Sequence, residues 1–143
     1  MSAVRRIGLI GAGWVTQHHL AGWAALRGRA EVVAIADPSA ERRGARAQAF
    51  DIPHTYADAS AMLAAGGLDA VDVAAPRAAH AELVRLAADR GLPILCQKPL
   101  APTLAEAEAL VAARNRPPPA RLIGASRASS SAAGPRKRSL FHQ

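Results

Sequence analysis

At 143 residues the chain accommodates one domain with a proper buried core. Half of it is apolar and only 3% aromatic, so Ala, Val, Leu and Ile must fill that core, and the single cysteine, Cys96, excludes an internal disulfide or cysteine-based zinc cluster and fits a reducing cytoplasm. The net charge of +7 falls entirely in residues 114–143, which carry seven basic residues and no acid, whereas 11 basic and 11 acidic residues cancel in residues 1–113.

In chain order, Ile7-Gly8-Leu9-Ile10 reads as a first buried strand. Arg5-Arg6 ahead of it does not open an export signal, because Gln17-His18-His19 interrupts the apolar stretch that follows. Gly11-Ala12-Gly13-Trp14-Val15-Thr16 then has the form of a phosphate-cradling turn before a helix. One glycine allows the tight turn and a second lets the backbone approach a pyrophosphate. The helix directs its unpaired N–H groups and positive dipole end at the anion. Thr16 stands where the G-x-G-x-x-G/A pattern has a small residue; its hydroxyl can cap the helix and reach a phosphate.

Glu31–Ala36 forms a second strand that stops at Asp37-Pro38. An acid at this strand end accepts hydrogen bonds from the ribose hydroxyls of an adenosine and repels a 2′-phosphate; it can equally cap the helix that begins at Ser39. Strand, glycine turn, helix, strand and acid together point to a dinucleotide, with NAD the first choice. Arg42 and Arg43 on the next helix keep NADP open.

The alternation continues with a helix over Ala40–Phe50, a short strand at His54–Tyr56 and a helix over Ser60–Ala65 ended by Gly66-Gly67. Asp69–Ala75 is a strand covered on both faces, closed by Pro76. Ala78–Arg90 repeats apolar residues at helical spacing before the C-cap glycine Gly91, and Pro93–Cys96 is a fifth strand. Thr103 with Glu106 has the form of a capping box for a last helix. Strands alternating with helices of this length predict an α/β fold: a Rossmann-type, doubly wound parallel sheet in a single domain. Ala120–Ala125 is a candidate edge strand, giving a domain over residues 1–125, and the Ser-, Pro- and Arg-rich residues 126–143 have the composition of a disordered basic tail.

In such sheets ligands bind outside the carboxyl ends of the strands. Those ends carry Gly11-Ala12-Gly13, Asp37, Pro76 and Gln97-Lys98-Pro99. Lys98, the only lysine before the tail, can point its ammonium into the crevice and stabilise charge on a substrate oxygen, or it is a solvated loop lysine. His80 either lies near the nicotinamide end or hydrogen-bonds within its own first helical turn. The five histidines show no ligand spacing with carboxylates or thiols, and no metal is expected; His18 and His19 face two sides of a helix. No run reaches the roughly 18 apolar residues of a membrane span.

Ile7–His19, the Ala36-Asp37-Pro38 step, Pro76–His80 and Gly91–Thr103 together resemble the amino-terminal half of the glucose-fructose oxidoreductase, inositol dehydrogenase and MocA family over residues 4–113. The resemblance implies an NAD(P)-binding domain of an oxidoreductase that moves hydride to or from a hydroxyl of a sugar- or cyclitol-like substrate. It implies cofactor contacts from Gly11, Ala12, Gly13, Trp14, Val15, Asp37, Pro76, His80, Gln97 and Lys98, and a catalytic role for Lys98 in positioning substrate. The family's Glu-Lys-Pro is Gln97-Lys98-Pro99 here, which keeps the hydrogen-bonding atoms of the first residue but loses its charge.

The family's C-terminal substrate domain, which supplies an acid and a histidine, has no counterpart in these 143 residues. The resemblance stops near Arg114. A truncated or frameshifted product, inactive alone, is the corresponding expectation, with exposed apolar surface favouring self-association. The rival readings are a non-enzymatic binding protein using its basic tail, poor in the aromatics that stack on nucleic-acid bases, and a regulatory subunit.

Overall fold

A computed structural model gives the fold of residues 2–115. Five strands, β1 (Arg5–Ile10), β2 (Ala30–Ala36), β3 (His54–Tyr56), β4 (Ala70–Val73) and β5 (Ile94–Cys96), alternate with five helices. These are α1 (Thr16–Ala24), α2 (Ala40–Phe50), α3 (Ala59–Ala65), α4 (His80–Asp89) and α5 (Leu104–Arg114). All pairings are parallel, in the order β3-β2-β1-β4-β5, as the alternation of strand and helix demands. The expected edge strand at Ala120–Ala125, the domain limit at residue 125 and the tail lie outside the described residues.

The period of two along the strands divides the core into two layers, broken in β2 where the register shifts opposite Ile7-Gly8 and Val33 joins Ala34 on one side. Leu9, Ile35 and Ala74 face α1 and α2, where Leu20, Val15, Ala47 and Phe50 meet them. Ile10, Val33, Val71 and Val73 face the other way, onto Ala59, Met62 and Leu63 of α3 and Ala87 of α4. Leu9 and Ile35 are wholly buried, each worth roughly 1.5–3 kcal/mol against exposure. α3 sits so close to the sheet that a Cβ on Gly8 would fall 2.7 Å from Leu68 Cδ1 and 2.9 Å from Met62 Cε.

Helix starts follow local chemistry. Ser39, Asp58 and Thr103 each accept a hydrogen bond from the backbone N–H three residues on, at the heads of α2, α3 and α5. Thr103 and Glu106 form a variant of the expected capping box, in which the Thr103 hydroxyl also donates to Glu106 Oε2 at 2.9 Å. The helix expected over 78–90 is instead a 3-10 turn, Arg77–Ala79, followed by α4, because Pro76 opens the segment and the turn closes through Ala79 N donating to Pro76 O. β4 is shorter than Asp69–Ala75: the Asp69 side chain accepts from Arg6 N, and the chain leaves the strand beyond Val73 once the Ala74 amide has donated to Ile10 O at 2.8 Å.

Candidate cofactor-binding rim

Because every strand runs the same way, their carboxyl ends share one rim. The sheet order places Asp37 after β2, the glycine turn after β1, Pro76 beyond β4 and Gln97-Lys98 after β5, side by side in that sequence. Three strand spacings separate β2 from β5, about 14 Å in all. The chain leaves β1 toward β2 on one side and returns as β4 on the other, so the glycine turn occupies the point at which strand order reverses, the usual ligand crevice of open α/β sheets.

Gly11 has φ +109°, and a Cβ there would stand 2.7 Å from the carbonyl oxygen of Ala74. Only glycine suits that position. Its N–H donates to Ala36 O at 2.8 Å, and its carbonyl accepts from the hydroxyl of fully buried Thr16 at 2.9 Å. Thr16 therefore locks the turn from beneath and is not a phosphate ligand, which corrects that expectation. A Cβ on Gly13 would meet nothing within 4 Å, and the amides of Gly13, Trp14 and Val15 donate to no group among the described residues. The turn thus offers unpaired N–H donors at a helix start with room beside Gly13 for a close approach, and it fits a pyrophosphate. Trp14 is 74% exposed and meets His18 edge to face with centroids 4.8 Å apart.

Asp37 is 6% exposed. Its Oδ2 accepts from Ala12 N at 2.8 Å and its Oδ1 from Ser39 N at 2.8 Å and Arg42 Nη2 at 3.4 Å. Of the two roles the sequence left open for Asp37, the helix cap falls to Ser39; Asp37 instead braces the glycine turn against the end of β2. The Ala12 amide is consumed by that brace. Arg43 Nη1 donates to Asp37 O at 3.0 Å, and Arg46 Nη2, unmarked by any sequence signal, donates to Gly13 O at 3.1 Å. Three arginines of α2 thus reach the Asp37 end of the rim.

At the other end Pro76 is exposed, and Gln97 is held by its N–H to Val73 O at 2.8 Å, with its own Oε1 accepting from Lys98 N at 3.2 Å. Lys98 is exposed, its ammonium has no partner among the described residues, and the Lys98–Pro99 peptide is cis. His80 does not bond within its own first turn; its ring lies between the Pro76 and Lys98 loops. It is 2% exposed, with Nδ1 2.9 Å from Pro99 O and Nε2 2.8 Å from Ala75 O, so no polar ring atom is left for a ligand and neither bond lies within its own turn.

One polar cluster escaped the sequence reading. Asp72, wholly buried on β4, accepts from His19 Nδ1 at 2.9 Å and Trp23 Nε1 at 2.8 Å, both from α1. The signal was present as an acid inside an apolar strand, with a histidine and a tryptophan one helical turn apart on α1. Burial and then the Asp72 carboxylate push the Cys96 thiol above its ordinary pKa. Among the described residues no group of three or more His, Cys, Asp or Glu side chains is placed to hold a metal. A cavity of about 390 Å³ lies at the opposite end of β2, between the ends of α1 and α2, away from every residue of the rim.

Comparison with known proteins identifies the frame. A sequence profile described as an oxidoreductase family with an NAD-binding Rossmann fold, Gfo/Idh/MocA, matches residues 5–117. The chain belongs to this family. It is 49% identical over 108 residues to a D-apiose dehydrogenase of Paraburkholderia graminis, covering 76% of this chain and 28% of that one. It is 35% identical to an inositol 2-dehydrogenase of Streptomyces avermitilis over 116 residues, 81% of this chain and 34% of that enzyme. An oxidoreductase from Agrobacterium radiobacter, solved with NAD+, L-tartaric acid and magnesium, superposes with a TM-score of 0.75 at 34% identity, covering 78% of this chain and 32% of the other. The chain spans about a third of the length of these relatives.

Proposed function

We propose that the rim binds NAD, with the adenosine ribose at Asp37, the pyrophosphate on the amides of Gly13, Trp14 and Val15, and the nicotinamide end toward Pro76, Gln97 and Lys98. The observation that carries this reading is the set of amides without acceptors among the described residues, with room at Gly13, beside a braced carboxylate. NAD supplies the hydride acceptor. Lys98 supplies the ammonium that orients a substrate hydroxyl and stabilises negative charge on its oxygen.

The substrate class is a sugar or cyclitol hydroxyl, in keeping with the apiose and inositol dehydrogenases to which the chain is similar. NADP is accommodated less well, because Asp37 repels a 2′-phosphate while Arg42 lies beside it. A reducing cytoplasm suits the lone thiol Cys96. No described helix is long and apolar enough to cross a membrane.

Fluorescence titration with NADH tests the reading. Saturable binding is expected, and Gly13→Asp, which sets a carboxylate where the pyrophosphate belongs, is expected to abolish it. Equal behaviour of the two chains would overturn the proposal.

A further inference from the structure

The peptide planes of the glycine turn are held unequally. The Gly11–Ala12 plane is fixed at both ends, its carbonyl by the Thr16 hydroxyl at 2.9 Å and its N–H by Asp37 Oδ2 at 2.8 Å. The Gly13–Trp14 plane hangs on a glycine where even an added Cβ would meet nothing within 4 Å, and a glycine backbone rotates with the least resistance. Its carbonyl receives no backbone N–H among the described residues; the group that holds it is Arg46 Nη2, at 3.1 Å, reaching across from α2. The roles in that bond are fixed, because a guanidinium stays charged and only donates, while a carbonyl oxygen only accepts. Among the described residues the cis peptide is Lys98–Pro99, so Gly13–Trp14 is trans and its C=O and N–H point in opposite directions.

We propose that Arg46 is a positioning residue for the pyrophosphate: by drawing the Gly13 carbonyl toward α2 it turns the Trp14 N–H away from that helix and holds it ready for the anion. The inference rests on the rim being the cofactor site. Without the bond, the plane is free to turn over and present its carbonyl oxygen, which repels a phosphate, in place of the N–H. A cation on the oxygen also polarises the peptide and makes its N–H a stronger donor. Because the guanidinium stands at the carbonyl end of the plane, it is not the group that meets an anion at the N–H end. The helix that carries Arg46 also brings Arg42 to Asp37 Oδ1 at 3.4 Å, and the N–H of its capping residue Ser39 donates to the same oxygen at 2.8 Å. One rigid element therefore sets both the carboxylate for the ribose and the amide for the phosphate.

The test follows the Trp14 amide of the full chain by nitrogen-15 spectroscopy and titrates NADH, ADP and adenosine, the last of which lacks the pyrophosphate. Arg46→Met keeps an unbranched stem and removes the donor. In the ligand-free variant the Trp14 nitrogen resonance is expected to move from its wild-type position, because a hydrogen bond on a carbonyl is felt by the nitrogen conjugated to it. NADH and ADP are expected to bind about tenfold more weakly, and adenosine equally well. A Trp14 resonance that stays in place overturns the hold on the peptide. ADP affinity that does not fall, or adenosine affinity that falls as far, overturns the aim at the pyrophosphate. Should Arg46→Met not fold, Arg46→Lys, which keeps a donor on a long stem, decides: its Trp14 resonance and its ADP affinity are expected to change together or not at all, and either changing alone overturns the role. A wild-type chain that binds neither NADH nor ADP overturns the cofactor reading and the aim with it, while the ligand-free Trp14 resonance still judges the hold on the peptide separately.

Discussion

At the residue scale, each rim side chain has a different division between holding the fold and meeting a ligand. Gly11 is wholly structural, since its positive φ and the close Ala74 carbonyl both refuse a side chain. Gly11→Ala should lower unfolding stability by about 1–3 kcal/mol, measured by urea denaturation, and a change under half a unit would contradict the close approach. Asp37 is mixed. Asp37→Ala leaves the Ala12 and Ser39 amides without their acceptor, expected to cost about 1–3 kcal/mol, and should also raise the ratio of NADPH to NADH affinity by removing the charge that repels a 2′-phosphate. Lys98 is exposed and its ammonium has no partner among the described residues, so Lys98→Ala should leave stability within about 0.5 kcal/mol; a large drop in urea denaturation would show that it serves the fold.

At the scale of elements, the link between α1 and β4 depends on a buried carboxylate. Asp72 sits in the middle of a strand, where an apolar residue would be the ordinary choice, and it is tolerated because His19 and Trp23 direct their ring N–H groups onto it. Removing one partner strands a buried charge, so His19→Ala should destabilise by about 3 kcal/mol. The same carboxylate, after burial, holds the Cys96 thiol protonated. Alkylation of Cys96 in the native chain should be slow near neutrality and accelerate only above the ordinary thiol range, because the thiolate is the reactive form. Asp72→Asn should shift that profile to lower pH; an unmoved profile would mean that the two groups do not sense one another.

At the scale of the molecule, the parallel sheet is what turns separated loop residues into one rim. Bound NADH should stabilise the whole chain by mass action, about 2.7 kcal/mol at one hundred times its dissociation constant, read as a rise in Tm that Gly13→Asp does not show. Most of this architecture was legible in the sequence. The five strands, the helices between them and the order of the loops follow from apolar periodicity, glycine turns and caps, all of which act over a few residues. Side-chain partners across the sheet were not legible. His80 was placed in its own helical turn, Thr16 on a phosphate and Asp72 merely within a strand, and Arg46 was passed over, because each is defined by residues 5 to 53 positions away. Local pattern carries no record of such distances.

What the residues determined unaided is therefore the alternation of strand and helix and the chemical character of each connecting loop, since propensity, capping and turn geometry are short-range effects. Tertiary structure decided which of those loop residues face outward with free donors and which are consumed in bracing their neighbours. Burial and the matching of donors to acceptors depend on what the sheet brings alongside, and that is fixed only when the strands pair.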